Sequence, residues 1–235
     1  MIKNEFIKFF RPNVILLYIT IIILLIGMFG LMFKPDANKY SNSKDIEYFN
    51  NTISSEFIYY FLPFFMIFLT SNVFSKDMYT GQLKFFLIGE NKRTKILLTK
   101  SFVLIIVLSL FIFAINLISS ITVGIVIGEF SQVLNIHKIG VIKDIINIIF
   151  SILPLLMVFI FISIITPNSI ITSISVFFLF LVFDHIIPLT NKYIPTGIIR
   201  TYLYNGELLV FNIIIFTLLL SIINFLIFYR KDMME

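Results

Sequence analysis

Long apolar runs separated by short polar segments dominate the pattern of this chain. A helix that crosses the ~30 Å hydrocarbon core of a bilayer needs about 20 residues. Each run is apolar on all sides and none alternates with a period of two, so membrane helices are predicted instead of barrel strands. The sequence therefore predicts an all-α integral membrane protein, a single domain over 1–235, with six transmembrane helices at about 14–33, 57–74, 102–128, 145–166, 170–188 and 208–229.

The polar segments between these runs predict smaller features. Ile2, Phe6 and Phe9 share one side of a helix that precedes the first run, and this predicts an amphipathic helix in the membrane interface. The segment 34–56 has no apolar period, and an irregular loop is expected there. The segment 189–207, between the fifth and sixth runs, is apolar enough to return into the membrane as short re-entrant helices.

The positive charges predict the orientation of the chain. With six spans, both termini and the segment 75–100 fall on one face with eleven Lys and Arg residues, and the other face has seven. Six of the eighteen basic residues lie within 75–100. Because basic residues resist translocation, both termini and this segment are predicted to be cytoplasmic.

Composition excludes several classes of protein. At 59% hydrophobic and 13% charged residues, the chain is far more apolar than soluble domains. The net charge of +5 is spread over short segments, which indicates membrane orientation and no nucleic-acid partner. With no cysteine and two histidines, no metal site is predicted. No motif for a hydrolase, a metalloprotease or a phosphate loop occurs, so we predict no catalytic residue and no cofactor in this chain.

Polar side chains within the runs are candidates for an intramembrane site. Asp184 and His185 lie in the fifth run, where ionisable groups are by default a functional hypothesis such as a proton relay. The alternative is that both lie at the interface, close to Pro188, and bond to each other, to backbone or to water. Asn116 in the third run is a similar candidate, with helix-to-helix bonding as the alternative.

The segment 75–100 has a pattern that a generic basic loop does not need. Apolar ridges at Leu83, Leu87 and Ile96 are separated by a polar stretch that begins at Gly89. This pattern predicts a helix, a break and a second helix that leads into the third run. The segment is predicted to be where the protein meets a partner in the cytoplasm.

The residues of this segment also resemble a known signature. The spacing of an acidic residue, a glycine, Leu-Lys, an arginine and a final lysine is similar to the signature of ATP-binding-cassette type 2 permeases. Gln82 stands where that signature has Thr, and Glu90-Asn91 replaces its Pro. The six-span layout and the ends of the chain resemble the same family. The matching residues are Asp77, Gly81, Leu83, Lys84, Arg93 and Lys100.

The resemblance implies a function. In that family the segment forms cytoplasmic coupling helices that dock on a separate ATPase, so Asp77, Gly81, Lys84 and Arg93 would lie at or near the docking surface, and Lys100 would begin the third span. The implied assembly pairs this permease with a second one, identical or different, and with two ABC ATPase subunits that hold ATP and Mg. Small permeases of this kind resemble those of bacitracin resistance, lantibiotic immunity and amphipathic-peptide export in bacterial plasma membranes. Membrane-partitioned peptides or hydrophobic antimicrobials are therefore the expected cargo.

Two other functions stay open on the sequence. A secondary transporter driven by protons would work through Asp184 and His185 and would need no ATPase. A membrane immunity protein that sequesters an antimicrobial would act without ATP. The docking segment distinguishes both from the main prediction, because neither has a use for its spaced residues.

Overall fold

The computed structural model describes residues 23, 27, 43–81, 93–127, 141–166, 168–181 and 194–230. These residues are helical apart from short turns, and no strand occurs among them. In chain order, the helices are α1 (Ser43–Thr70), a π-helical turn (Ser71–Ser75), α2 (Lys76–Tyr79), α3 (Arg93–Ile127), α4 (Val141–Ile165), α5 (Ser169–Leu181), α6 (Pro195–Asn205) and α7 (Val210–Arg230).

Four helical stretches in the described part of the chain are long and apolar enough to cross a membrane. They match the second, third, fourth and sixth predicted spans and run over Ser54–Tyr79, Arg93–Ile125, Lys143–Ile165 and Val210–Arg230. The predicted fifth span is represented by α5, whose 13 residues cover only its first part. Of the predicted first span, Ile23 and Gly27 are described, and both are helical. The rest of that span and the predicted N-terminal interface helix lie outside the described residues.

The expectation of an irregular loop over 34–56 is wrong from Ser43 onward, where α1 begins. No Pro or Gly interrupts the chain between Ser43 and Leu62. Extending an existing helix fixes one residue per hydrogen bond gained, so a polar stretch continues the apolar helix at little cost.

The helix α4 is at the centre of the bundle. It contacts α1, α3, α5, α6, α7 and the π turn. Its large residues pack in the core, and Leu155, Phe159 and Ile160 are at most 1% exposed. By contrast, α7 directs Phe211, Leu218 and other large apolar side chains outward. Such outward apolar faces are what lipid-facing helices present.

The ends of α2, α4 and α7 lie close to the start of α3, so the bundle has two distinct ends. One end, the Asp77 end, holds α2, the start of α3, the turn between α4 and α5, and the end of α7, as shown by the hydrogen bonds described below. The other end, the Tyr204 end, holds α6. A single helix, α6, occupies the described part of the segment predicted as re-entrant, and it packs on α4 and α1.

Candidate functional site

The Asp77 end is organised around one buried ion pair. The Lys100 ammonium donates to the Asp77 carboxylate, and the two residues are 0% and 2% exposed. The same ammonium donates to the backbone carbonyl of Val73 at 2.7 Å and lies 5.8 Å from the centre of the Phe74 ring. A buried charge left without a partner is costly, so the hydrogen bonds to Asp77 and Val73 are what make this position tolerable for a lysine.

The π turn connects α1 to α2 without a break in the helix. The Lys76 N–H donates to the Ser71 carbonyl five residues earlier, which is the hydrogen bond of a π turn. Side chains just before and within it support this wide turn. Thr70 Oγ1 donates to the Met66 carbonyl at 2.9 Å, and Asn72 Nδ2 donates to the Phe68 carbonyl at 2.9 Å. Polar side chains that bond back to carbonyls one turn earlier provide donors where the backbone register shifts.

A buried hydroxyl cluster attaches the π turn to the turn between α4 and α5. Ser75 Oγ donates to the Ser163 carbonyl at 3.0 Å and lies 2.8 Å from Thr172 Oγ1. Thr172 Oγ1 is in turn 2.6 Å from Thr166 Oγ1. Thr166 Oγ1 and Thr172 Oγ1 also lie within hydrogen-bond distance of the Ile162 and Asn168 carbonyls, at 2.7 and 2.8 Å, so each hydroxyl has more than one acceptor within reach.

The Ser163 carbonyl has a specific need for this hydroxyl. It lies in the last turn of α4, and the residue four positions later is Pro167, which has no N–H to donate. Ser75 therefore provides the donor that the helix cannot. Ser71 and Ser173 make a second, weaker link between the same elements, with their oxygens 3.3 Å apart.

Gly81 lies two residues after the end of α2. Its φ of 70° places it in the left-handed region, where glycine carries no penalty for a Cβ. The Gly81 N–H donates to the Met78 carbonyl at 3.1 Å. The next described residue is Arg93, where α3 begins.

Arg93 begins α3 and also contacts the end of α7. Its guanidinium donates to the backbone carbonyl of Tyr229, in the last turn of α7. The last carbonyls of a helix have no partner within the helix, and a cation there also favours the helix dipole. Arg93 thus connects the start of α3 with the end of α7.

The predicted site residues fall into three groups. Asp77 and Lys100 are brought together inside the protein, whereas Gly81 and Arg93 lie at the two helix ends that flank 82–92. Asn116 is half-buried and donates to the Ile112 carbonyl of its own helix at 3.0 Å. The remaining candidates, Leu83, Lys84, Asp184 and His185, lie outside the described residues.

Sequence reasoning missed the π turn and the roles of Ser75 and Thr172. The signal available was the run Thr70-Ser71-Asn72, three consecutive residues whose side chains bond to backbone inside an otherwise apolar helix. The backbone carbonyl of Ser163 accepts from Ser75, while the Ser163 hydroxyl donates to the Phe159 carbonyl of its own helix at 2.8 Å.

An aromatic and charged cluster lies at the Tyr204 end. The Arg200 guanidinium lies 5.1 Å from the centre of the Tyr59 ring, and the rings of Tyr59 and Tyr204 are 6.0 Å apart in an edge arrangement. Burial raises the pKa of the Tyr204 phenol well above its ordinary value, and a hydrogen bond to Glu56 raises it further. The cluster holds α6 against α1.

A small pocket lies beside this cluster. It is lined mainly by apolar side chains from α1, α4, α5 and α6, among them Leu62, Leu155, Phe180 and Ile199. Thr196 is one of its few polar lining residues. The pocket has room for about one water-sized molecule, so it is a packing gap among these helices.

Comparison with known proteins places the chain in a family. No curated protein and no solved structure matches it. A family model described as ABC-2 family transporter protein matches residues 1–184, which is most of the 235-residue chain and includes the whole buried site at the Asp77 end. This chain therefore belongs to the ABC-2 family of membrane transporter proteins.

Proposed function

We propose that this chain is the membrane-spanning permease subunit of an ATP-driven exporter in a bacterial plasma membrane. Membership of the ABC-2 family carries the proposal, because the family's permeases work with a separate ABC ATPase. The chain spans the membrane six times with both termini in the cytoplasm. ATP and Mg are held by the partner ATPase, two copies of which serve this permease and a second one.

The proposed coupling residues at the Asp77 end have two different roles. Asp77 and Lys100 are buried, so their contribution is to hold two helix ends in a fixed relation. Gly81, Leu83, Lys84 and Arg93 form the docking surface that faces the ATPase. Closure of the ATPase dimer pushes the segment 82–92, and the motion enters the bundle through the helix ends at Gly81 and Arg93.

The proposed cargo is a membrane-partitioned peptide or another hydrophobic antimicrobial. The resemblance to small permeases of bacitracin resistance, lantibiotic immunity and amphipathic-peptide export supports this cargo. Asp184 is the polar residue we propose to contact the cargo within the membrane. Asp184→Asn should then weaken export and leave ATPase binding intact.

Co-purification tests the proposal directly. The chain is co-expressed with a candidate ABC ATPase from the same genome, and the ATPase retained on the tagged permease is measured. The variant Leu83→Asp/Lys84→Glu should lose most of the ATPase. Lys143→Glu is the matched control, since Lys143 is an exposed lysine at the opposite end of the bundle. Failure of the wild-type chain to retain any ATPase, or equal retention by the docking variant, would refute the proposal.

Topology is tested separately on the same cysteine-free chain. Single cysteines at Ser41 and Asn91 should be labelled by an impermeant reagent from opposite sides of the membrane. Labelling of both from one side would contradict the six-span layout. A proton-driven transporter predicts the opposite pattern of activity, in which Asp184→Asn abolishes transport and the Lys84→Glu change has little effect.

A further inference from the structure

The π turn lies between two contacts that depend on its register. On one side, Lys100 bonds both to Val73 within the turn and to Asp77 just beyond it. On the other, Ser75 bonds to Ser163. A π turn contains one residue more than an α-helical turn of the same phase. Conversion to a regular α-helix would rotate the residues beyond the turn by about 100° and advance them by about 1.5 Å.

Such a rotation would separate both contacts in one step. The Asp77 carboxylate would leave the Lys100 ammonium, and a contact made by a 0% exposed lysine cannot be replaced by water without opening the core. Packed helices change between discrete arrangements more readily than they deform continuously. The position of the turn also matters, because it joins the helix that ends at Gly81 to the turn between α4 and α5.

We propose that the π turn Ser71–Ser75 is a two-state coupling element, with Lys100 and Ser75 as positioning residues that hold it in the wide form. This inference rests on the proposed function for its purpose, which is to pass motion of the segment 82–92 to α4 and α5. Its physical content can be tested without any partner. Release of Lys100 from Asp77 shifts the turn toward a regular α-helix.

Distance measurements between spin labels test the proposal on the full chain in lipid nanodiscs. The chain has no cysteine, so labels can be placed at Tyr60 and Tyr79, which flank the π turn and are 43% and 74% exposed. In Lys100→Met this pair should lengthen by about 3 Å relative to wild type, given the rotation and rise of one residue. The control pair, Leu98 and Leu117, has the same spacing on the regular helix α3 and should not change.

Two further variants separate the switch from simple loss of folding. Asp77→Leu/Lys100→Met removes the ion pair without leaving a buried charge, and it should show the same lengthening. Deletion of Asn72, a half-exposed residue of the turn, removes the extra residue and keeps Asp77 in phase. In that background Lys100→Met should no longer change the distance between the Tyr60 and Tyr79 labels.

The outcomes are decisive in each direction. An unchanged distance in the folded double variant overturns the inference, as does a shift that persists after deletion of Asn72. If the distance between the Tyr60 and Tyr79 labels shifts as expected but the chain retains no ATPase, the proposed function is refuted and the two-state turn is not. If the chain retains the ATPase but the distance between the Tyr60 and Tyr79 labels is the same with and without the substitutions, the two-state turn is refuted and the proposed function is not.

Discussion

Asp77 and Lys100 form a buried ion pair that joins α2 to the first turns of α3. The sequence resemblance predicts Asp77 at or near an ATPase-docking surface, and in the structure its side chain is buried against Lys100. The pair therefore fixes the relative position of the two helix ends that flank residues 82–92.

The first prediction concerns the stability that this pair provides. Asp77→Asn or Lys100→Met alone leaves one partner uncompensated and should lower the free energy of unfolding by about 3–5 kcal/mol. Asp77→Leu/Lys100→Met should cost much less, because no buried charge remains. Unfolding of the purified chain in mixed micelles measures these values. Lys95→Met, which changes an exposed lysine on the same helix, is the control, and a double variant as unstable as the singles would contradict the prediction.

The second prediction concerns the donor that Ser75 provides. Ser75→Ala leaves the Ser163 carbonyl buried without a donor, because Pro167 cannot supply one. The expected loss is about 1–3 kcal/mol of unfolding free energy. Ser109→Ala is the matched control, since that hydroxyl donates only to carbonyls of its own helix, at 2.9 Å. Equal losses in the two variants would show that Ser75 has no special role.

The sequence predicted the positions of the long helices because an apolar run of about 20 residues has few other uses. It did not predict the π turn, since a helix that is apolar on all sides has no polar face whose phase could reveal one extra residue. The sequence did not predict the start of α1 at Ser43, because the polar residues there have no helical apolar pattern. They are helical because they continue the apolar helix that follows them.

The sequence singled out Asp77 and Lys100 at this end of the bundle but did not predict their arrangement. The spacing of Asp77 and Lys100 was noticed, whereas their pairing is a tertiary contact between residues 23 apart in the chain. Ser75 and Thr172 are 97 positions apart, and no local pattern links them. Hydroxyl residues in apolar helices are common, so only the fold identifies the ones that join helices.

The third prediction concerns pH. The folded-state pKa of Tyr204 is raised, first by burial and then by the hydrogen bond to Glu56, so the folded protein holds this proton more tightly than the unfolded chain. The resulting stability is fully present below the unfolded value of 10.0 and is lost as pH rises above it. The denaturation midpoint of the protein should therefore decrease when the pH is raised above about 10.

Two substitutions test this assignment. Tyr204→Phe should reduce the alkaline fall in the midpoint, and Glu56→Gln should reduce it in part, because the negative neighbour is removed. The denaturation midpoint of each variant is compared between pH 7 and pH 11. A loss of packing lowers the midpoint at both pH values, whereas ionisation of the phenol lowers it only at pH 11. A wild-type fall that is unchanged in Tyr204→Phe would assign the alkaline loss to another group.

The fourth prediction concerns Asn224, which is 2% exposed on α7. Its Nδ2 donates to the Met157 carbonyl at 3.0 Å, whereas its Oδ1 has no partner among the described residues. A hydrogen bond between membrane helices contributes about 0.6 kcal/mol on average, and an unsatisfied buried acceptor offsets a gain of that size. Asn224→Leu should therefore change the unfolding free energy by less than about 1 kcal/mol.

Asn224→Ala separates the polar contribution from packing. It removes the same hydrogen bond but also leaves a cavity against α4, so it should be less stable than Asn224→Leu by about 2 kcal/mol. Both values come from unfolding of the chain in mixed micelles. Asn224→Leu is instead as destabilising as Asn224→Ala if the Oδ1 atom has a donor in the assembled protein. Leucine keeps the side-chain volume, so a loss of that size must come from removal of a polar group whose hydrogen bonds are satisfied. A bound water or a second permease would then be the donor to seek, and the same substitution in the purified assembly would distinguish them, since only the second makes the loss depend on protein concentration.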